Sequence, residues 1–268
     1  MSGAPPLERA LCGARRVNVL GVGVSAIDLG QAVAAIEGWI AKGEQHYVCV
    51  TGVHGVMESQ RDEGLRQIHN AAGLVTPDGM PLVWLSRLRG AAHVGRVYGP
   101  DLMLACCACS LATGHRHFFY GGAPWVPEEL AAKLRLRFPG LAVAGGYSPP
   151  FGPLTSAQDE EIVHRINDAA PDIVWVGLST PKQERWMHEH VTRVTAAALI
   201  GVGAAFDFVS GRKRQAPRWM QQSGLEWAFR LGSEPRRLWR RYLFNNPLFL
   251  WKVMLQVVGA RRYDLPVC

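Results

Sequence analysis

From residue 17 to about residue 210 the chain repeats one pattern: a short apolar run, then a stretch with apolar residues three and four positions apart. VNVLGVGV, HYVCVT, HFFYGG and DIVWVGLS have the length and β-branched content of buried strands, and AALIGVGAAFDF reads as a strand running into a glycine-rich turn. Between them the spacing predicts helices. Leu29, Val33, Ile36 and Ile40 share one face behind Asp28, which can act as the cap. Further helices are predicted from Val56 to Ala72, Met80 to Leu88, over 100–113, Pro127 to Phe138, Ser156 to Ala169 with Ser156 as its cap, and Pro181 to Val194. Strands separated by helices of this length pair in parallel. The predicted fold is therefore α/β: a doubly wound, Rossmann-like, mainly parallel sheet with helices on both faces. Ligands of such sheets bind beyond the carboxyl ends of the strands. Thr51, Asp78, Gly121, Gly122 and the segment Ser179 to Gln183 all fall at such ends.

Near residue 211 the character changes. From there to the end the chain carries twelve Lys and Arg against three acids, more than its whole net charge of +7. Trp219, Trp227, Trp239 and Trp251 are interleaved with the arginines, as are Phe229, Phe244 and Phe249. The organisation expected is a loose leader over 1–16, an α/β core over 17–210, and a basic, aromatic-rich helical appendage over 211–268. Basic residues mixed with aromatic ones point to an anionic surface, either a lipid interface or a nucleic acid. The longest apolar run, Asn246 to Ala260, is too short to span a bilayer and carries Lys252 in its middle. No apolar stretch follows the basic start, so no signal peptide is expected. Three of the six cysteines crowd into DLMLACCACSLA without ligand-like spacing, and read as small apolar residues of a reduced, cytoplasmic protein.

Three short motifs stand out. TPDG at 76–79 delivers Asp78 into a turn at the sheet edge. There it either deprotonates an incoming hydroxyl or bonds its own backbone. GLSTPKQERW at 177–186 reads as a helix start, with Ser179 or Thr180 as cap and Pro181 in the first position. Its amides could bind phosphate beside Lys182 and Gln183, or it is an ordinary capped helix. YGGAP at 120–124 lets a ligand approach the backbone at Gly121 and Gly122, but lacks the Lys of a P-loop. No dinucleotide fingerprint opens a helix, no D-x-D motif occurs, and no cofactor or metal ligand set is assigned.

Taken as an ordered set, LGVGVSAIDLGQAV, PDGMPLVW, GRVYGPDLM, HFFYGGAP, LSTPKQERWM, GVGAAFDFVSGRKRQAPRWMQQSGLEWAFRL and EPRRLWRRYL resemble the WecG/TagA/CpsF family, glycosyltransferase family 26. The likeness runs over about residues 17–250. It implies an inverting, metal-independent hexosyltransferase. Such an enzyme moves a hexose or N-acetylhexosamine-type sugar from a UDP-sugar to a polyprenyl-diphosphate-linked acceptor in bacterial cell-surface or exopolysaccharide synthesis. By the same resemblance Asp78 is the general base and Gln183 sits in the donor pocket. Arg230, Arg237 and Arg240, with Arg241 beside them, meet the diphosphate at the inner face of the plasma membrane. Arg96 and Asp101 match family positions without an assigned role. The family's T-P-N-like turn is missing: CVTGVHGV has no Asn, and Thr51 or His54 takes the polar position. The competing reading is a nucleic-acid-binding α/β protein using the basic tail. Leu248, Phe249, Leu250, Val253 and Leu255 weigh against it, since a nucleic-acid surface does not need them. Self-association to cover this apolar stretch is a further expectation.

Overall fold

The computed structural model describes residues 15–266. Nearly all of the expected leader, with Cys12 in it, and the terminal Cys268 lie outside the described residues. In chain order the first elements are β1 (Arg16–Val19), β2 (Val22–Ser25), α1 (Leu29–Lys42), β3 (His46–Thr51), α2 (Val53–Ser59), α3 (Glu63–Ala71), β4 (Leu74–Pro77) and α4 (Met80–Leu88). Then come α5 (Gly99–Thr113), β5 (His117–Gly121), α6 (Val126–Arg137), β6 (Val143–Tyr147), α7 (Ser156–Asp168), β7 (Ile173–Gly177), α8 (Lys182–His190) and β8 (Ala198–Gly201). The chain closes with α9 (Ala205–Val209), α10 (Arg218–Gln222), α11 (Glu226–Ser233) and α12 (Pro235–Val257). These form two compact units that do not follow chain order. One gathers residues up to Asp28, Val50–Tyr98 and the chain from Gln215; the other gathers Leu29–Cys49 and Gly99–Arg214.

The second unit is the Rossmann-like, parallel part of the fold, with strand order β3-β8-β7-β5-β6. Its central strands are apolar on both faces: Phe118, Phe119, Tyr120, Val174, Trp175, Val176, Leu199 and Ile200 are all buried. The chain runs outward from β5 to β6, returns, and then runs the opposite way from β7 to β8. Right-handed crossovers therefore put α6, packed on β5 and β6, and α8, packed on β7 and β8, on opposite faces. The doubly wound arrangement expected from the alternation is present. Its reversal point lies between β5 and β7, where Gly121 stands opposite Gly177.

The first unit begins with a hairpin. VNVLGVGV reads as one strand, yet it forms β1 and β2, paired antiparallel with Val17 opposite Val24 and Val19 opposite Val22. Leu20 and Gly21 both take positive φ, +53° and +82°, the geometry of a tight hairpin turn, and Asn18 Oδ1 accepts the Gly21 N–H at 2.9 Å. β1 alternates half-buried Arg16 and Asn18 with buried Val17 and Val19, whereas β2 is buried on both faces. The predicted helix through Val56 to Ala72 is likewise two helices. Asp62 breaks it and caps α3, accepting the Leu65 N–H at 3.0 Å.

Two cap assignments are corrected. Thr155, not Ser156, caps α7, in a reciprocal pair with Gln158. Neither Ser179 nor Thr180 caps α8: Pro181 holds the position before its first turn, and Thr180 turns its hydroxyl to Glu184 instead. Within the crowded cysteine stretch Cys106 and Cys107 are buried, as a core reading requires, while Cys109 is exposed.

The C-terminal segment belongs to the first unit. α12 is 23 residues long and buries only Leu238, Tyr242, Asn245 and Phe249, a single stripe at spacings of four and three, with α2 and α11 as its neighbours. Asn245 Oδ1 accepts from Arg61 Nη2 at 2.7 Å, and Gln256 bonds the hairpin backbone at Asn18 and Leu20. Much of its other apolar surface is exposed, including Trp239, Leu243, Phe244, Leu250, Trp251 and Met254, while Val253 and Leu255 are half-buried. Among the described residues no helix is long and apolar enough to cross a membrane.

Candidate active site

Asp78 sits just beyond β4, in the step from strand to α4. Its N–H donates to the Thr51 carbonyl at the end of β3, at 2.9 Å, and the Val97 N–H donates to Pro77 at 3.0 Å. These bonds fasten three chain segments around one carboxylate. Gly52 is required here, since a Cβ at that position would stand 2.8 Å from the Asp78 carbonyl oxygen. Thr51 itself is buried, and its methyl group packs against Gly55.

Arg96, from the segment after α4, reaches the same carboxylate, and Tyr98 from that segment and Glu226 and Arg230 from α11 lie within its electrostatic range. Arg96 Nη2 donates to the Glu226 carboxylate and, at 3.4 Å, to Asp78 Oδ1; Nη1 donates to Gln221 Oε1 at 3.4 Å. The guanidinium lies 4.1 Å above the Tyr98 ring. Burial pushes the Asp78 carboxyl up to about 6, with Arg96 opposing, Glu226 adding to the rise, and Arg230 opposing. It is thus poised to take a proton near neutral pH, where an ordinary aspartate is a weak base. Burial also pushes the Tyr98 phenol far above its usual range, so it stays neutral. His54 is driven down to about 3 by burial and by Arg241, Arg61 and Arg230, and is neutral too. It lines a strongly basic region rather than adding charge to it.

The arginines assigned from the sequence divide. Arg230 lies within the electrostatic reach of Asp78, and Arg241, with its Nε buried, joins it there. Arg237 is exposed and pairs with Glu234 at 2.6 Å, and Arg240 lies exposed over the Trp239 ring at 5.2 Å.

In the second unit the carboxyl ends of adjacent strands carry glycines: Gly121 stands opposite Gly177, and Gly201 stands opposite Val176. Gly121 has φ of +116°, and a Cβ there would stand 2.8 Å from the Gly177 backbone. Gly122 donates its N–H to Gly177 at 3.2 Å. The first turn of α8 places Gln183 against Gly201 and Gly203. Gln183 and Glu184 are 3% and 1% exposed, and Glu184 Oε1 accepts from Thr180 Oγ1 at 2.8 Å and from Gln183 Nε2 at 3.1 Å. Gln183 Oε1 and Glu184 Oε2 are buried acceptors without a protein donor. Buried acceptors call for donors, and the hydroxyls of a sugar are donors. Asp101 lies in the first turn of α5.

A family model described as "Glycosyl transferase WecG/TagA/CpsF family" matches residues 17–263, nearly the whole chain. The chain belongs to that family. It is 32% identical over 186 residues to a Bacillus spizizenii N-acetylglucosaminyldiphosphoundecaprenol N-acetyl-beta-D-mannosaminyltransferase, covering 69% of this chain and 70% of the relative. A Bacillus subtilis protein of the same name is 32% identical over 184 residues, covering 68% and 69%. One from Staphylococcus aureus is 25% identical over 240 residues, covering 89% and 92%. This WecG/TagA/CpsF chain is accordingly a glycosyltransferase, and the match includes both the Asp78 cluster and the C-terminal segment.

Sequence reasoning missed Glu226, Gln221, Tyr98 and Glu184. Glu226 lies within the quoted GLEW, but nothing local marks it as the partner of an arginine 130 positions earlier. For Glu184 one signal was present, an acid next to Gln183 in PKQE.

Proposed function

We propose that this glycosyltransferase moves a hexose or N-acetylhexosamine-type sugar from a UDP-sugar to a polyprenyl-diphosphate-linked sugar, with inversion, at a membrane surface. The observation that carries the reading is the placement of Asp78 just beyond β4, 3.4 Å from Arg96 Nη2, where burial pushes its carboxyl up to about 6 against the opposing arginines. The names of the relatives support the acceptor, since each describes transfer to an N-acetylglucosaminyldiphosphoundecaprenol.

In this reading Asp78 removes the proton from the acceptor hydroxyl as that oxygen attacks the anomeric carbon. The bond from that carbon to the donor diphosphate breaks, UDP leaves with the electron pair, and the proton stays on Asp78. One displacement inverts the anomeric centre. Thr51, Gln183, Gly121 and Gly122 hold the donor. Arg230, with Arg237 and Arg240 from α12, meets diphosphate charge, which planar guanidinium groups match in pairs of hydrogen bonds. The exposed face of α12 lies on the bilayer, with Trp239 and Trp251 at headgroup level and Arg236, Arg237 and Arg240 toward anionic lipid.

The test is UDP release from a panel of UDP-sugars, with a short polyprenyl-diphosphate N-acetylglucosamine acceptor in vesicles. Release that depends on the acceptor with one donor is expected. A folded protein that binds neither UDP nor vesicles would overturn the proposal and bring the nucleic-acid reading forward, to be tested by salt-dependent binding.

A further inference from the structure

Arg96 is a single cation between two carboxylates. Its Nη2 donates closely to Glu226 and only at 3.4 Å to Asp78. Its Nη1 is held by Gln221, whose own amide donates to the Ala216 carbonyl at 2.7 Å. Apart from Asp78 and the Tyr98 ring, the groups holding Arg96 therefore come from the C-terminal segment, from α10 and α11. A carboxylate that shares its arginine with another acid, and lies near that acid's negative charge, is a stronger base than one paired with the arginine alone.

We infer that Glu226 is a positioning residue that draws Arg96 off Asp78 and so keeps Asp78 basic. The inference rests on the reading of Asp78 as the base. The charged and titratable groups facing Asp78 are Arg96 and Tyr98 from the segment after α4, Glu226 and Arg230 from α11, and Arg241 from α12. Taking away the Glu226 charge leaves three arginines and a neutral phenol facing one carboxylate. Arg96 then has Asp78 as its remaining acid, and the base is quenched. Glu226 thus couples two parts of the chain that are distant in sequence: without its charge, the proton acceptor is held as an ion pair with Arg96.

The test is Glu226→Gln in the full-length chain, which keeps the size and hydrogen-bonding capacity of the side chain and removes its charge. The acidic limb of kcat/KM is expected to fall by about one pH unit. Turnover at pH 8 is expected to drop on the order of tenfold with the donor KM unchanged, because a weaker base transfers the proton less well. Glu226→Asp should restore part of both. The titration of Asp78 is read independently of turnover, as the pH dependence of the difference in melting temperature between the chain and its Asp78→Asn variant, with and without Glu226→Gln. A downward move of that titration upholds the positioning role. An unmoved titration overturns it, even if Glu226→Gln lowers turnover, since that loss is then merely structural. Full activity of Asp78→Asn, with the titration still moved by Glu226→Gln, would defeat the base assignment and leave the Arg96 partition standing.

Discussion

At Asp78 the chain carries an ionisable group whose burial works against the charge its proposed role needs. The side chain is 28% exposed, and its acid form is favoured up to about pH 6. Two outcomes follow from the sign of that shift. Activity should rise with pH through about 6, in a profile of kcat/KM with one proton lost. The stability that the protonated carboxyl contributes is fully present below its ordinary value near 4 and is lost as pH rises through about 6. Asp78→Asn removes that loss. At pH 8 the variant should lose at least about a hundredfold in turnover while melting no lower than the parent, and about 1 kcal/mol of gain would appear as roughly 2–4 °C. A large drop in melting temperature would show Asp78 to be a structural turn residue. Gly121 is the opposite kind of residue: its φ of +116° and the Gly177 backbone 2.8 Å from any Cβ leave no room for a side chain. Gly121→Ala should cost at least about 2 kcal/mol, seen as a fall of roughly 5 °C or more in thermal unfolding.

At the scale of elements, α12 decides more than its length implies. It spends one face on the first unit, through Leu238, Tyr242, Asn245 and Phe249, and leaves a second apolar face exposed. An apolar face of this size in contact with water is costly, and a bilayer surface would remove the cost. Replacing both Trp239 and Trp251 by Ser should lower partition onto anionic vesicles on the order of tenfold. The melting temperature in solution should stay within about a degree, because both rings are already exposed. Unchanged sedimentation with vesicles would remove the proposed membrane role of α12. Pro247 lies inside the helix without ending it, so its effect belongs to the exposed stretch rather than to the cap.

For the whole molecule, the change in composition near residue 211 lies close to Arg214, where the chain leaves the second unit and re-enters the first. The chain from Gln215 packs as part of the first unit, with α12 neighbouring α2 and with Glu226, Gln221 and Arg230 gathered about Asp78. A chain ending at residue 210 should therefore do more than lose lipid affinity. It should expose the surface under Leu238, Tyr242 and Phe249, bind a hydrophobic dye, and melt well below the full chain. A truncated protein with full turnover and unchanged stability would contradict this division.

Periodicity and turn chemistry, which are local, were sufficient to foresee the α/β alternation, the parallel sheet, most helix positions and the motif carrying Asp78. Where two local solutions compete, the sequence was ambiguous. VNVLGVGV becomes a hairpin because Leu20 and Gly21 turn the chain through positive φ, and Thr155 rather than Ser156 wins the cap because Gln158 can answer it. The clustering of Asp78, Arg96, Glu226 and Arg230 could be known only from the tertiary structure, as could the division of the arginines between the Asp78 region and the exposed face of α12. The physical reason is range. A helix or strand is specified by residues a few positions apart, whereas the basicity of a carboxylate depends on charges brought within a few ångströms from segments more than a hundred residues away.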